Sequence, residues 1–357
     1  MIRIAYIINS VEGGGAALPV PSIADVLREG GAEISILALT RRDGRAIAPM
    51  VAAGLDVRVR DGGETDHRAA LRWLDRQISA IRPTHLWTSL TRATLLGQLA
   101  GVRRRLPVVS WQHAAYLKPG NRLLLRVMQP LSKLWIGDSD VVTRLTAERL
   151  KVPAGRLMQW PIFRADPDAA QSIPWQPGGP VRIASLGRLH PVKGYDVLVE
   201  ALALLPPDTG SHEVSIAGDG AERSALEARV TALGLSGVRF SGYADDPRAM
   251  LAHSHLYVQP SRSEGLCVAV HEAMQAGLPV VASAVGQLPY SIVEGRSGST
   301  VPPGDPKALA HALAEMLAQP ERLAAMGRAA RVDVLERFGP DRFRAAGLAV
   351  LDRLRTF

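Results

Sequence analysis

The most constraining feature of this 357-residue chain is the alternation of short β-rich runs with helical patterns from one end to the other. Such alternation is typical of parallel sheets whose strands are joined by crossover helices. A chain of this length fits two domains of about 150 to 180 residues each. The sequence therefore predicts an α/β protein with two doubly wound domains.

Strand patterns occur in two series separated by an irregular stretch. The first series is predicted at Arg3–Asn9, Glu33–Leu39, Val57–Arg60, Thr84–Ser89, Val108–Gln112 and Leu134–Gly137. The second begins at VRIASLG and continues through EVSIAG, VRFSG, LYVQPS and PVVASA. Residues 164–180 lack periodicity and are rich in Pro, Gly, Asp and Ala, which indicates a linker. We therefore expect an N-terminal domain over residues 1–163 and a C-terminal domain over residues 181–339.

Composition narrows the class of protein and its compartment. The single cysteine, Cys267, excludes an intrachain disulfide and favours a reducing environment. The N-terminal run MIRIAYIIN is too short for a signal peptide, and the sequence has no apolar stretch of about 18 residues. These features predict a cytoplasmic protein without a membrane span.

The formal net charge of +8 points to an anionic partner. Part of the charge clusters in the first half, at Arg103, Arg104, Arg105, Lys118, Arg122, Arg126 and Lys133. Within this region NRLLLRVMQPLSKLW mixes leucines with basic residues, which fits either an interfacial helix on an anionic membrane or an ordinary helix that packs its leucines inward. Nucleic acid is disfavoured as a partner, because no nucleic-acid motif interleaves the basic residues.

The segment SRSEGLCVAVHEAMQAGLPVVA places two glutamates, Glu264 and Glu272, around a predicted strand-to-helix turn. In open α/β sheets such turns lie at the carboxyl ends of the strands, where ligands bind. A helix beginning near Leu266 would direct free backbone N–H groups into the same crevice, which suits a phosphate. Carboxylates beside an anion-binding helix start predict a ligand with hydroxyl and phosphate groups, such as a nucleotide-sugar.

This segment resembles the signature of the retaining glycosyltransferases of family four, which have a GT-B fold. Further blocks follow the family order: SLGRLHPVKGYDVLVEAL, IAGDGAERSALEARVTALGL with VRFSGY, and VGQLPYSIVEGRSGSTVPPGD. The resemblance covers most of the second half closely and the first half loosely. It implies two Rossmann-like domains facing across a cleft, with the last helix, within residues 340–357, crossing back to the first domain.

The resemblance assigns roles to residues of the second half. Glu272 would accept hydrogen bonds from the ribose hydroxyls, Glu264 would hold hydroxyls of the donor sugar, and Arg188 with Lys193 would stabilise the leaving diphosphate. Many relatives have glycine where this chain has Cys267. Further donor-binding positions implied by the family are Gly187, Gly242, Tyr243, Leu266, Cys267, Val268 and Ala269.

Two features of the first half complete the implied site. The loop NSVEGGGAALP would bring Gly14 and Gly15 to the donor phosphate and acceptor, because glycine allows close approach of the backbone. The strand VVSWQH carries His113 to the edge of the domain, where the family has a histidine near the transferred sugar. The catalytic set implied is Glu264, His113, Arg188 and Lys193.

The segment WIGDSDVVTRLTAERLKVP resembles the block that ends the first domain, with WPIF in place of the usual Asn-Gly.

The activity implied is transfer of a hexose-type sugar with retention of configuration, without a metal ion or other cofactor. The donor would be a nucleoside-diphosphate sugar, with UDP favoured and GDP possible. The acceptor would be a lipid-linked or growing saccharide of envelope or exopolysaccharide synthesis. This places the protein at the inner face of the plasma membrane.

Other activities stay open on the residues alone. Asp138-Ser139-Asp140 matches the DxD pattern that binds divalent cations in other glycosyltransferases, although helix capping is the simpler explanation. Gly13 to Gly15 and Arg41-Arg42 would fit an NADP-dependent oxidoreductase, but the third glycine of its fingerprint is missing. A GT-B nucleotide-sugar epimerase and an inert nucleotide-sugar-binding protein share the expected fold.

Overall fold

The computed structural model describes residues 1–244 and 246–357, which form two compact units. Unit 1 contains Met1–Arg164 together with Pro340–Phe357, and unit 2 contains Ala165–Gly339. Each unit is an α/β fold around its own parallel sheet. Within the described residues, no helix has the length and apolar character needed to cross a bilayer.

Unit 1 is built on a seven-stranded sheet of order β3-β2-β1-β4-β5-β6-β7, in which neighbouring strands are parallel. The strands are β1 Ile2–Ser10, β2 Ala32–Thr40, β3 Asp56–Val59, β4 His85–Ser89, β5 Val108–Gln112, β6 Leu134–Gly137 and β7 Leu157–Gln159. The helices are α1 Val20–Glu29, α2 Ile47–Ala52, α3 His67–Ile81, α4 Thr91–Arg104, α5 Pro119–Met128 and α6 Asp140–Leu150. The six predicted strands are confirmed. Strand β7 was missed because three partly exposed residues at a sheet edge carry no hydrophobic pattern.

Unit 2 repeats the plan with a six-stranded parallel sheet of order β10-β9-β8-β11-β12-β13. The strands are β8 Val181–Leu186, β9 His212–Ala217, β10 Val238–Gly242, β11 Leu256–Gln259, β12 Val280–Ser283 and β13 Gly298–Val301. The helices are α7 Tyr195–Ala203, α8 Arg223–Ala232, α9 Pro247–Ala252, α10 Val268–Gln275, α11 Leu288–Ser291, α12 Pro306–Ala318 and α13 Leu323–Phe338. In both sheets the strand order reverses beside the first strand, which is where doubly wound folds bind ligands.

The stretch expected to be a linker is irregular and lies in unit 2 from Ala165 onward. The Ala165 N–H donates to the carbonyl oxygen of Phe338, and the Ser172 N–H donates to that of Ala276. The Ser172 hydroxyl also donates to the carbonyl oxygen of Gly277. These bonds tie the stretch to the ends of α10 and α13.

The final helix, α14 Pro340–Leu354, returns to unit 1 as the family resemblance implied. It packs on α1 so closely that a Cβ added at Gly30 would lie 2.2 Å from Leu351 Cδ2. The carbonyl oxygen of Leu354 lies 3.2 Å from His85 Nε2 at the start of β4. Residues from both ends of the chain therefore build one core.

Aromatic side chains fill the centre of unit 1. Trp160, from the WPIF stretch, stacks on Trp111 with ring centroids 5.1 Å apart and contacts Phe343 of α14 at 5.3 Å. Trp87 lies 5.6 Å from Trp111, and all four rings are buried. The departure from Asn-Gly thus places a large apolar side chain in the core where α14 docks.

Candidate functional site

In unit 2, two loops at the carboxyl ends of adjacent strands are joined into one structure. The loop after β8 contains Val192, and the loop after β11 contains Arg262, whose N–H donates to the Val192 carbonyl oxygen at 2.8 Å. The Arg262 guanidinium donates to both carboxylate oxygens of Asp196, at 2.7 and 2.6 Å. Such bidentate pairing fixes geometry as well as charge. The side chains carried by the two loops are therefore held in register.

Two glycines, one in the loop after β8 and one in the loop after β12, allow close backbone contacts with the loop after β11. Gly194 has a φ of +68°, and a Cβ there would lie 2.1 Å from the carbonyl oxygen of Pro260. Gly286 has a φ of +56°, and its Cβ would lie 2.3 Å from the carbonyl oxygen of Glu264. Both positions need glycine for conformation and for space. Gly286 in particular lets its own backbone contact the backbone of the loop that carries Glu264.

Lys193 and Glu264 form a partly buried ion pair between these loops, in which the lysine side chain is 23% exposed. Lys193 Nζ donates to Glu264 Oε1 at 2.7 Å, and the glutamate side chain is 9% exposed. Burial lowers the pKa of Lys193, but the charge and hydrogen bond of Glu264 outweigh that effect and raise it above its ordinary value. The ammonium group therefore stays charged at neutral pH.

A line of buried hydrogen bonds leads from β8 to the same carboxylate. The Leu186 N–H donates to the Tyr257 hydroxyl at 3.0 Å, and that hydroxyl donates to Gln259 Oε1 at 2.9 Å. Gln259 Nε2 donates to Ser261 Oγ at 2.8 Å, and the Ser261 hydroxyl donates to Glu264 Oε1 at 2.6 Å. These bonds fix the orientation of each group in turn, so Glu264 is held by Ser261 as well as by Lys193.

This line of polar groups was missed in the sequence, although a signal was present. Tyr257, Gln259 and Ser261 alternate along LYVQPS, and residues two apart lie on the same face of a strand. All three are fully buried. Polar residues at every second position of an otherwise apolar strand thus identify the side chains whose hydrogen bonds connect to Glu264.

Helix α10 begins at Val268, within two residues of the predicted start near Leu266. Cys267 has a φ of +65°, a left-handed conformation that stops the helix from extending back to Leu266. Glycine would adopt this conformation without a steric penalty. Burial is the main cause that raises the pKa of the Cys267 thiol, and the nearby Glu264 carboxylate raises it further. The thiol is therefore a poor nucleophile.

Glu272 lies in the second turn of α10, as expected. Burial raises the pKa of its carboxyl group to about 7, although Arg248 acts in the opposite direction. Within the described part of the chain, nothing donates a hydrogen bond to this carboxylate. It is thus poised to accept hydrogen bonds from a ligand.

The neighbouring His271 is structural. Burial lowers its pKa to about 4, and its ring nitrogens lie 2.9 Å from the Cys267 carbonyl oxygen and from Ser291 Oγ. Its ring also packs edge-on against Phe338. His271 therefore anchors α10 to α11 and α13.

The other expected donor-binding residues of unit 2 lie at the same edge of its sheet. Arg188 is exposed in the loop directly after β8, next to Gly187. Gly242 ends β10, where its carbonyl oxygen accepts from the Gly218 N–H at 2.6 Å, and Tyr243 follows it. Leu266, Cys267, Val268 and Ala269 span the start of α10. Glu264 interacts directly with both Lys193 and Cys267, and the remaining residues lie along the same edge.

In unit 1 the glycine loop follows β1. The Gly13 N–H donates to Asp43 Oδ1 at 2.9 Å, whereas a Cβ at Gly14 would meet nothing closer than the Glu12 side chain at 3.9 Å. Packing does not require glycine at position 14, so its open face is available to a ligand. Arg42, which the oxidoreductase hypothesis assigned to a 2′-phosphate, forms ion pairs with Glu12 and Glu64.

His113 follows β5 and is buried between two polar groups. Its Nε2 lies 2.8 Å from Ser89 Oγ, and its Nδ1 lies 3.3 Å from Asp138 Oδ2. The next residue of the DxD-like sequence, Ser139, is the N-cap of α6 and accepts from the Val142 N–H at 3.2 Å. Asp138 and Ser139 thus have separate roles, one facing His113 and one capping a helix.

Curated relatives match this chain over different extents. A D-inositol 3-phosphate glycosyltransferase of Frankia alni is 30% identical, with 89% of this chain and 91% of the relative covered. A GDP-mannose-dependent alpha-(1-6)-phosphatidylinositol monomannoside mannosyltransferase of Mycolicibacterium smegmatis is 33% identical over 60% of this chain and 62% of the relative. The match to a D-inositol 3-phosphate glycosyltransferase of Segniliparus rotundus is 30% identical over 69% of this chain. The chain spans about 60% of the length of these last two relatives.

Solved structures share the fold over the whole chain. Anabaena Alr3699/HepE in complex with UDP-glucose has a TM-score of 0.85 at 21% identity, covering 99% of this chain and 100% of that one. WaaG, a glycosyltransferase involved in lipopolysaccharide biosynthesis, has a TM-score of 0.74 at 17% identity, covering 98% and 99%. The family model described as glycosyl transferases group 1 matches residues 170–333. By this match, by the Frankia alni relative and by its two doubly wound units, the chain belongs to the glycosyl transferases group 1 and has the GT-B fold.

Proposed function

We propose that this protein transfers a hexose-type sugar, with retention of configuration, from a nucleoside-diphosphate sugar to a saccharide acceptor of envelope or exopolysaccharide synthesis. The observation that carries the proposal is the partly buried Lys193–Glu264 pair, held beside the start of α10 by Ser261 and Gly286. It puts a cation for phosphate and an acceptor for hydroxyls at one point of the sheet edge. A nucleotide-sugar presents both chemical groups.

The roles of the residues follow from this chemistry. Arg188 and Lys193 stabilise the negative charge that grows on the leaving diphosphate as the glycosidic bond breaks. Glu264 accepts hydrogen bonds from hydroxyls of the donor sugar, and Glu272 accepts them from the ribose. His113 of unit 1 is proposed to contact the sugar being transferred. No metal ion is needed in this scheme, so we expect a chelator to leave the rate unchanged.

The donor base is proposed to be uracil. Support comes from the fold shared with Anabaena HepE, whose structures contain UDP and UDP-glucose. GDP is the second candidate, because the Mycolicibacterium smegmatis relative is GDP-mannose-dependent by name. An NADP-dependent oxidoreductase is disfavoured by the engagement of Arg42 with two glutamates.

The acceptor is proposed to be lipid-linked, with the protein docked on the anionic inner face of the plasma membrane. Helix α5 buries Leu125 but exposes Leu123 by 65% and Val127 by 67%. Arg122 and Arg126 are exposed on the same helix. The leucines are thus not all packed inward, and an apolar surface next to arginines fits a negatively charged lipid surface.

Thermal melting against UDP, GDP, dTDP, ADP and NADP at equal concentration tests the donor class. A ligand at about 100 times its Kd adds roughly 2.7 kcal/mol to the free energy of unfolding, which raises Tm by a few degrees. A shift with one nucleoside diphosphate supports the proposal and selects its sugars for assay. A shift with NADP and none with the diphosphates would overturn it. Product analysis with and without a saccharide acceptor distinguishes a transferase from an epimerase.

Vesicle flotation tests the proposed membrane contact. We expect the protein to float with vesicles containing about 30% phosphatidylserine and not with neutral vesicles. Each basic residue near an anionic surface contributes roughly 1 kcal/mol to the binding free energy. The double variant Leu123→Ser/Val127→Ser should lose this binding. The matched control Val51→Ser/Val332→Ser replaces exposed valines elsewhere and should keep it. Equal flotation of the two double variants would contradict the proposal.

A further inference from the structure

Three side chains converge on the imidazole of His113 from different strands of unit 1. Ser89 ends β4, His113 follows β5, and Asp138 follows β6, so the carboxyl ends of three adjacent strands bring them together. Trp111 adds a third support, with its ring centroid 5.4 Å from that of His113. Residues far apart in the sequence thus form one buried group.

The bonding capacity of the ring selects one protonation pattern. Asp138 is an acceptor when ionised, so Nδ1, 3.3 Å from Oδ2, is the nitrogen that carries a proton. In a neutral ring, Nε2 then accepts from the Ser89 hydroxyl at 2.8 Å. Reversing the tautomer would leave a lone pair facing the carboxylate.

The environment makes this arrangement costly to disturb. The side chains of His113 and Asp138 are 7% and 3% exposed. In the described residues, neither Asp138 Oδ1 nor His113 Nδ1 has a hydrogen-bond partner, and the two side chains meet through the 3.3 Å approach of Nδ1 to Oδ2. A buried carboxylate without a partner is strongly destabilised, which couples the position of His113 to that of Asp138.

We infer that Asp138 is a positioning residue, which together with Ser89 fixes the ring orientation and the Nδ1–H tautomer of His113. The inference rests on the proposed function in assigning His113 to the transferred sugar, and it adds a residue that the glycosyltransferase scheme above does not use. Carboxylates that orient metal-bound histidines change activity by about 10- to 100-fold when they are replaced, and we expect an effect of that order here. Asp138 itself does not contact the substrate in this scheme.

Nitrogen NMR tests the tautomer without any activity measurement. The protein is labelled with ¹⁵N-histidine, and His113 is assigned among the nine histidines with His113→Gln. We expect wild-type signals of a protonated Nδ1 and an unprotonated Nε2. In Asp138→Asn and in Ser89→Ala the His113 signals should shift while those of the other histidines stay in place. Unchanged His113 signals in both variants would overturn the inference, whatever the protein transfers.

Steady-state kinetics, with the donor identified by the thermal-melting experiment, tests whether the orientation of His113 affects turnover. Asp138→Asn, which preserves shape, should lower kcat by about 10- to 100-fold with little change in the donor KM. The matched control is Asp140→Asn, an exposed aspartate two residues on, which should keep kcat within about twofold. Shifted His113 signals with an unchanged kcat would contradict a positioning role. Loss of activity in Asp140→Asn that added divalent cation restores would instead support a DxD metal site and overturn the inference.

Discussion

Lys193 Nζ lies 2.7 Å from Glu264 Oε1, and the two residues are 71 positions apart in the chain. Before a donor binds, each charge therefore neutralises the other in a partly buried setting. A diphosphate can compete for the ammonium while sugar hydroxyls compete for the carboxylate. The pair thus leaves neither charge unpaired before the donor binds.

Replacing Glu264 by Gln should lower kcat by about 10² to 10³ fold, because the amide is a weaker acceptor and no longer pairs with Lys193. Steady-state kinetics measures the change, and circular dichroism checks that the fold is intact. Glu315→Gln, on the exposed face of α12, is the control and should keep the rate. Near-normal turnover of the Glu264 variant would refute its place in the site.

Ser261→Ala removes the hydroxyl that donates to Glu264 Oε1 at 2.6 Å. We expect a fall in kcat of about tenfold and a loss of roughly 1 to 3 kcal/mol in the free energy of unfolding, because Gln259 Nε2 loses its acceptor in the interior. Ser263→Ala, two residues on, should change neither quantity. Equal behaviour of the two variants would show that the buried line of hydrogen bonds does not support the site.

Gly286→Ala and Gly295→Ala separate backbone strain from contact. Both glycines have positive φ, +56° and +67°, so each alanine costs about 1 kcal/mol in conformation. A Cβ at Gly295 meets nothing within 4 Å, whereas one at Gly286 would press on the Glu264 backbone. Urea unfolding and kcat should therefore show a mild, active Gly295 variant and a less stable Gly286 variant with at least tenfold lower kcat. Matching losses would contradict this interpretation of Gly286.

Cys267→Gly should exceed Cys267→Ala in the free energy of unfolding by about 1 kcal/mol. The residue has a φ of +65°, where glycine has no steric penalty and alanine keeps it. Equilibrium urea unfolding of the two variants gives the difference directly. Because the thiol is buried with a raised pKa, both variants should also retain most of the activity. A more stable alanine variant would show that packing outweighs conformation at this position.

Donor affinity should depend on pH through Glu272. Its pKa is raised to about 7 by burial, and ribose hydroxyls that donate to it favour the ionised form. Binding then releases a proton, so affinity rises with pH, by up to about tenfold between pH 6 and 8 for a single group. Calorimetry with an intact nucleotide-sugar, whose phosphates do not titrate in this range, measures the trend. Glu272→Gln should abolish it.

The same group affects stability without a ligand, with the opposite sign. A carboxyl group whose folded pKa is raised contributes stability that is complete below about pH 4.5 and is lost as pH rises through about 7. The Tm of Glu272→Gln minus the Tm of wild type should therefore be larger at pH 8 than at pH 5.5. A constant Tm difference across this range would argue against the raised pKa.

The sequence predicted every strand of the two sheets except β7 and β13, because buried parallel strands are mostly continuous apolar runs. Strand β5 agrees with its predicted bounds, Val108–Gln112, and the turn that carries Glu264 lies where the pattern placed it. Side-chain partners were not predictable in this way. Glu264 meets Lys193, and His113 meets Asp138, because strand order brings distant loops together, and one-dimensional periodicity does not encode strand order. The left-handed conformation of Cys267 was not predictable, because only backbone geometry shows it.

The return of the last helix to the first unit affects how the chain is made. During synthesis at about 5 to 20 residues per second, the whole of unit 2 emerges before α14 does, which takes on the order of ten seconds or more. Through that interval the surface of α1 around Gly30 and the ring of Trp160 lack their partners from α14. The half of the protein that is translated first is therefore the half that is completed last.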